Sequence, residues 1–178
     1  MKLIQLPDAT IALDVISGAY GNRRACEKAA IQRLMDFAAG TNTEILHRPD
    51  GSPYPAPPCH LHISISHSRH IAALLWSESQ GYGIDIEEAR QEQLSRIAAR
   101  VMSQDEIESF SDNLLKAWTL KEAAFKAAGL PVADLREFNI NEFPYISVRG
   151  SKQKCIYSET VELDGFTGWL SIVHSLMP

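Results

Sequence analysis

Asp85, Glu87, Glu122, Lys121 and Lys126 are the residues of this chain whose types and spacing suit them to hold a cation and a phosphate. Asp85 and Glu87 stand in the stretch 83–87 (G-I-D-I-E), where β-branched residues alternate with others, as in a strand. A period of two puts Ile84 and Ile86 on one face and both carboxylates on the other, about 7 Å apart along the strand. A hard divalent ion such as Mg²⁺ wants such oxygen donors and usually takes one or two carboxylates plus substrate phosphates. The stretch 118–126 (W-T-L-K-E-A-A-F-K) reads as a helix. At about 100° per residue, Leu114, Ala117, Trp118, Ala124, Phe125 and Ala128 share one apolar arc. Lys121 falls near the middle of that arc and Glu122 at its edge, with Lys126 one turn further on. A charge inside an apolar stripe is costly without a partner; a metal-bound anion is one that would serve.

The elements that must position these groups follow from local pattern. Residues 3 to 16 read as a strand, a turn at Pro7-Asp8 and a second strand. A helix is expected from Arg23 to about Ala39, with Ala30, Ile31, Leu34 and Phe37 at helical spacing and Gly40 as its C-cap. Pro49-Asp50-Gly51 is a turn, because proline presets one dihedral and glycine supplies a positive φ. Residues 61–66 and 71–76 read as strands, and with the strand of Asp85 they are expected to form a three-stranded meander. A helix from about Gln91 to Val101 precedes Ser103-Gln104-Asp105-Glu106, a capping box for a short helix. Gly129-Leu130-Pro131 stops the Trp118 helix. Beyond it, Phe138 to Ile140, Tyr145 to Val148, Lys154 to Leu163 and Phe166 to His174 read as β, with Asp164-Gly165 as a hairpin turn.

Composition narrows the setting. The 178 residues, 45% of them hydrophobic and 22% charged, are ordinary for a globular protein of one domain or two fused halves. A net charge of −5 argues against a general nucleic-acid binder, which would be basic. No run of eighteen apolar residues suggests a transmembrane helix, and residues 1–18 lack a signal peptide's apolar core. Cys26, Cys59 and Cys155 are odd in number and include no C-x-x-C pair. A reduced, cytoplasmic location without membrane association is the expectation.

The G-I-D-I-E stretch followed by W-x-x-K-E-x-x-x-K resembles the 4′-phosphopantetheinyl transferases, and the spacing is similar to the surfactin-synthetase-activating type. The resemblance extends to the flanks: Ser64 to Arg69 (S-I-S-H-S-R) is similar to the family's N-I-S-H-S-G, and Ser103 to Glu106 to its F-S-x-x-E. It implies an α+β fold of two similar α/β halves related by a pseudo-twofold axis, here about 1–88 and 89–178, with antiparallel sheets packed against helices and the site between them. It implies transfer of the phosphopantetheine arm of coenzyme A to a serine of an acyl or peptidyl carrier protein, with Mg²⁺ as cofactor. Asp85, Glu87 and Glu122 are its metal ligands; Arg24, Ser66, His67 and Lys126 contact the coenzyme, and Lys121 adds a cation near the pyrophosphate. Glu122 and Glu106 are both open as the general base. The region after the Trp118 helix would dock the carrier, with Arg136, Arg149, Lys152 and Lys154 as available cations. The sequence departs from the family where Ser52 replaces a usual lysine, Arg69 a usual glycine, and Val101-Met102 the aromatic position before Ser103.

Other readings keep a place. A degenerate member that binds coenzyme A or a carrier protein without turnover is one. A zinc-dependent hydrolase is another, because Cys59, His60, His62, His67 and His70 crowd one region with ligands that suit zinc, although their spacing matches no zinc signature.

Overall fold

In a computed structural model, residues 1–18, 22–88, 91–129 and 134–176 are described, with the backbone alone for 91–93. The first sheet is antiparallel, in the order β1 (Lys2–Gln5), β2 (Thr10–Val15), β6 (Ile71–Ser77), β5 (His62–His67). A small hairpin, β3 (Ile45–His47) with β4 (Pro53–Pro55), stands apart. Its turn is the Pro-Asp-Gly one: Gly51 has φ +85°, and Asp50 accepts from the Ser52 amide and hydroxyl at 2.8 and 2.7 Å. Helix α1 (Arg23–Ala39) runs between Asn22, whose side chain caps the Ala25 amide, and Gly40 in the left-handed conformation. Both ends follow from local chemistry.

The second sheet has the order β7 (Tyr82–Glu87), β10 (Phe166–Leu176), β9 (Ser151–Leu163), β8 (Tyr145–Val148). The three-stranded meander expected of residues 61–87 does not form. Strands β5 and β6 pair, but β7 pairs with β10, setting Asp85 opposite Ser171 and Glu87 opposite Trp169. Local alternation marks a strand without naming its neighbour, and the neighbour here lies some eighty residues away. Residues Phe138 to Ile140 are another difference: after a 3₁₀ turn at Leu135–Glu137 they form a loop with one isolated bridge, Asn139 to Ser147. Phe138 and Ile140 are buried all the same.

Three apolar clusters define four layers. Ala12, Ala72 and Leu74 of the first sheet meet Ala30, Leu34 and Met35 of α1. On the sheet's opposite face, Ile11, Leu13, Ile71, Ala73 and Leu75 meet Ile84, Ile86, Leu170 and Ile172 of the second. Strand β6 is thus buried on both faces, as its unbroken apolar run requires. The outer face of the second sheet is covered by α4 (Leu114–Ala127), with α2 (Gln91–Val101) and α3 (Gln104–Ser109) beside it. The order is helix, sheet, sheet, helix. Among the described residues no helix is long and apolar enough to cross a membrane.

Candidate active site

The site forms where β7 meets both α4 and β5. Gly83 sets the first contact. A Cβ there would fall 2.0 Å from the Ala123 carbonyl oxygen and 2.6 Å from the Ala127 amide nitrogen, both backbone atoms of α4. No side chain fits, and its absence lets helix and strand touch. Asp85 lies two residues on, on the same face of the strand, while Glu122 and Lys126 occupy the helix column beside Ala123 and Ala127.

The second contact is polar. The Ser66 hydroxyl donates to Asp85 Oδ1 at 2.7 Å and accepts from the Ile86 amide at 3.3 Å. Ser64 Oγ accepts from the Ile84 amide at 3.2 Å. Lys126 Nζ donates to the Ile84 carbonyl at 3.0 Å and to Asp85 Oδ1 at 2.8 Å. β7 is an outer strand of its sheet, so its outward amides and carbonyls need partners. Two serines and a lysine supply them, and they orient Asp85 as they do so.

Asp85 is 5% exposed, and its second oxygen, Oδ2, is buried with no hydrogen-bond partner. Glu122, half-buried, is coupled electrostatically to it. Burial first, then the Asp85 charge, push the Glu122 carboxyl above the usual carboxylate range, and Lys126 offsets this in part. A buried orphan carboxylate oxygen beside a second carboxylate suits a hard cation, and Mg²⁺ requires no more than one or two protein carboxylates when phosphates complete its shell. Among the described residues no three His, Cys, Asp or Glu side chains stand together as a ready-made metal cage. Glu87, at the end of the same strand face, does not close one with Asp85 and Glu122, and the cysteine–histidine region offers no such cage either.

The raised Glu122 carboxyl has a sign. A carboxyl raised on folding contributes stability that is fully present below its unfolded pKa and is lost as pH rises through its folded value. In EDTA, Glu122→Gln is therefore expected to be more stable than the wild type near neutral pH. The difference should vanish below about pH 4. Urea unfolding at the two pH values reads it; an equal offset at both would mean that Glu122 does not titrate as described.

Two of the expected catalytic residues sit elsewhere. Lys121 is 0% exposed, and its Nζ lies 2.9 Å from Glu106 Oε1 and donates to the Phe138 carbonyl at 2.5 Å. Glu106 Oε1 also accepts from the Ile140 amide at 3.1 Å, and its Oε2 from the Ser103 amide at 2.8 Å, completing the capping box. Both carboxylate oxygens are committed inside the core. The lone charge on the apolar arc found a protein partner, so neither Lys121 as a pyrophosphate cation nor Glu106 as a base is placed to act. Phe125 is displaced from the expected arc as well and is 43% exposed.

The coenzyme-contacting candidates gather in part. Ser66 is buried and commits its hydroxyl to Asp85. His67, at the exposed end of β5, lies 3.9 Å from Glu27 of α1. Arg24 is exposed in the first turn of α1; it is its neighbour Arg23 that reaches the β5–β6 turn, donating to the Ser68 carbonyl at 3.3 Å. Sequence reasoning missed Gly83 and the orienting role of Ser66, although the alternation Ser64-Ile65-Ser66 was a signal for the latter. After α4, three of the four cations expected to dock a carrier stand beside carboxylates: Arg136 by Asp134, Arg149 by Glu137, and Lys152 4.0 Å from Glu142. Residues 130–133 of that region lie outside the described residues.

No curated protein matches the chain. The family model of the 4′-phosphopantetheinyl transferase superfamily matches residues 81–168, which run from β7 into β10 and include Asp85, Glu87, Glu122 and Lys126. Over these residues, which carry the acidic site, the chain is similar to the 4′-phosphopantetheinyl transferase superfamily.

Proposed function

We propose that the protein transfers the 4′-phosphopantetheine arm of coenzyme A to a serine of an acyl or peptidyl carrier protein, as an enzyme similar to the surfactin-synthetase-activating type. The observation that carries this reading is the unpartnered Asp85 Oδ2 beside Glu122 and Lys126, inside the span that matches the superfamily. Two four-stranded sheets, each with one long helix on its outer face, support the idea of two related halves with the site at their seam.

The serine oxygen attacks the β-phosphorus of coenzyme A. The bond from that phosphorus to the bridging oxygen breaks, and 3′,5′-ADP leaves. Asp85 and Glu122 would hold Mg²⁺, with Glu87 within the same strand face; when bound, the ion neutralises phosphate charge and polarises phosphorus. Lys126, already turned toward Asp85, offers a cation to the phosphate oxygens. Ser66 fixes the rotamer of Asp85, so that its free oxygen is presented rather than rotating away. Glu122 is the general base, taking the serine proton directly or through a water. Catalysis here is positioning and charge compensation.

Intact-mass spectrometry of apo carrier proteins, incubated with the protein, coenzyme A and Mg²⁺, tests the proposal. A gain of one phosphopantetheine is expected, lost in EDTA and in Asp85→Ala. A readout independent of turnover accompanies it: millimolar Mg²⁺ should raise the unfolding midpoint of the wild type but not of Asp85→Ala. If coenzyme A binds but no carrier gains mass, the non-catalytic binder is favoured instead.

A further inference from the structure

Glu88 follows β7 directly and is not part of the acidic set. Its carboxylate takes three hydrogen bonds from one turn, β5 to β6. Oε2 accepts from the Ser68 hydroxyl at 2.8 Å and the His70 amide at 2.6 Å, and Oε1 lies 2.8 Å from His70 Nδ1. The His70 ring in turn stacks on Phe166, at the start of β10, with centroids 4.2 Å apart and planes 10° from parallel. The Ser68 carbonyl accepts from Arg23 of α1, and the His70 carbonyl from the Ile16 amide. Burial alone would raise Glu88, but the bonds from His70 and Ser68 outweigh it and hold the carboxyl below its usual value. It is ionised near neutral pH and fully engaged.

The geometry of this clamp joins the two sheets at one point. On its first-sheet side are Ser66 and His67, and on its second-sheet side Asp85 and Glu87. We propose that Glu88 and His70 are positioning residues, which set the Ser66–His67 end of β5 against the acidic end of β7 and so fix where coenzyme A lies relative to the attacking serine. The proposal rests on the transferase reading above. Glu88 touches neither substrate nor metal in this role. Its main effect falls on the coenzyme side, because Glu122 and Lys126 stand on α4 and Lys126 keeps its bond to Asp85 Oδ1 at 2.8 Å, while only the Ser66 bond to Asp85 moves with the turn.

The test is steady-state kinetics and calorimetry of Glu88→Ala, His70→Leu and His70→Asn, with coenzyme A as the varied ligand. The first two should raise the KM and Kd for coenzyme A by about 10-fold or more, as loss of an orienting partner does elsewhere. The KM for the carrier should stay at its wild-type value. His70→Asn, whose amide can still donate to Glu88, should recover most of the loss. Folded variants with unchanged coenzyme A affinity overturn the proposal, and so does a loss confined to kcat or to melting temperature. Should Glu88→Ala not fold, the His70 pair gives the same comparison. A wild type that binds coenzyme A but modifies no carrier sinks the transferase reading, while the calorimetric comparison still decides the clamp. A wild type that does not bind coenzyme A overturns both.

Discussion

Gly83→Ala is expected to lower folding stability by about 1–3 kcal/mol or more, the range for overpacking a close contact. It should also cut transfer by about 100-fold, the scale set by a 1 Å misplacement of reacting groups. The argument is steric. The added methyl would meet the Ala123 carbonyl at 2.0 Å and the Ala127 amide at 2.6 Å, and these are backbone atoms of the last turn of α4. They cannot rotate aside as a side-chain end can. Strand and helix must separate, and with them Asp85 from Glu122 and Lys126. Urea unfolding reads the first effect and intact-mass progress curves the second. Wild-type stability with wild-type rate would mean that α4 does not press on β7 as described. The same substitution at Gly165, whose Cβ position is open to solvent but whose φ is +85°, is a control for backbone strain without the clash.

Lys121→Met is expected to cost about 3–5 kcal/mol, the cost of leaving one member of a buried ion pair without the other. Glu106 would keep its bonds to the Ser103 and Ile140 amides but lose the cation 2.9 Å from Oε1, and the Phe138 carbonyl would lose a donor. The double variant Lys121→Met with Glu106→Gln should be more stable than the single one, because the uncompensated buried charge goes while the remaining carbonyl oxygen still accepts from one of the two amides. Urea unfolding of the three proteins checks the order. A single variant within about 1 kcal/mol of wild type, the scale of an exposed pair, would show that Lys121 is not held in the interior.

What could be read in advance was what neighbours along the chain determine. Gly40 ends α1, the capping box opens α3, and Asp164-Gly165 turns the last hairpin with φ +49° and +85°. Each depends on chemistry within four residues. The face shared by Asp85 and Glu87 was legible for the same reason, and the helical spacing of Glu122 and Lys126 likewise. Partners distant in sequence were not legible. Periodicity showed that Lys121 needed a counter-charge and could not choose between a bound anion and Glu106, fifteen residues earlier. Alternation at Phe138 and Ile140 signalled burial truly and a strand wrongly, since a loop tucked against α4 buries the same side chains. Strand β7 was recognised as a strand, yet its place at the rim of the second sheet came from β10.

The inner faces of the two sheets bear on modularity. The superfamily match begins at residue 81, almost where β7 begins. Excised there, the piece would carry Asp85, Glu87, Glu122 and Lys126 complete. It would also bare Ile84, Ile86, Leu170 and Ile172, and leave the Ile84 and Ile86 amides without Ser64 and Ser66. Such a fragment holds the chemistry without the means to stay dissolved alone. In this chain the residues before 81 act as a tethered lining for that surface, present at an effective concentration no separate partner would match.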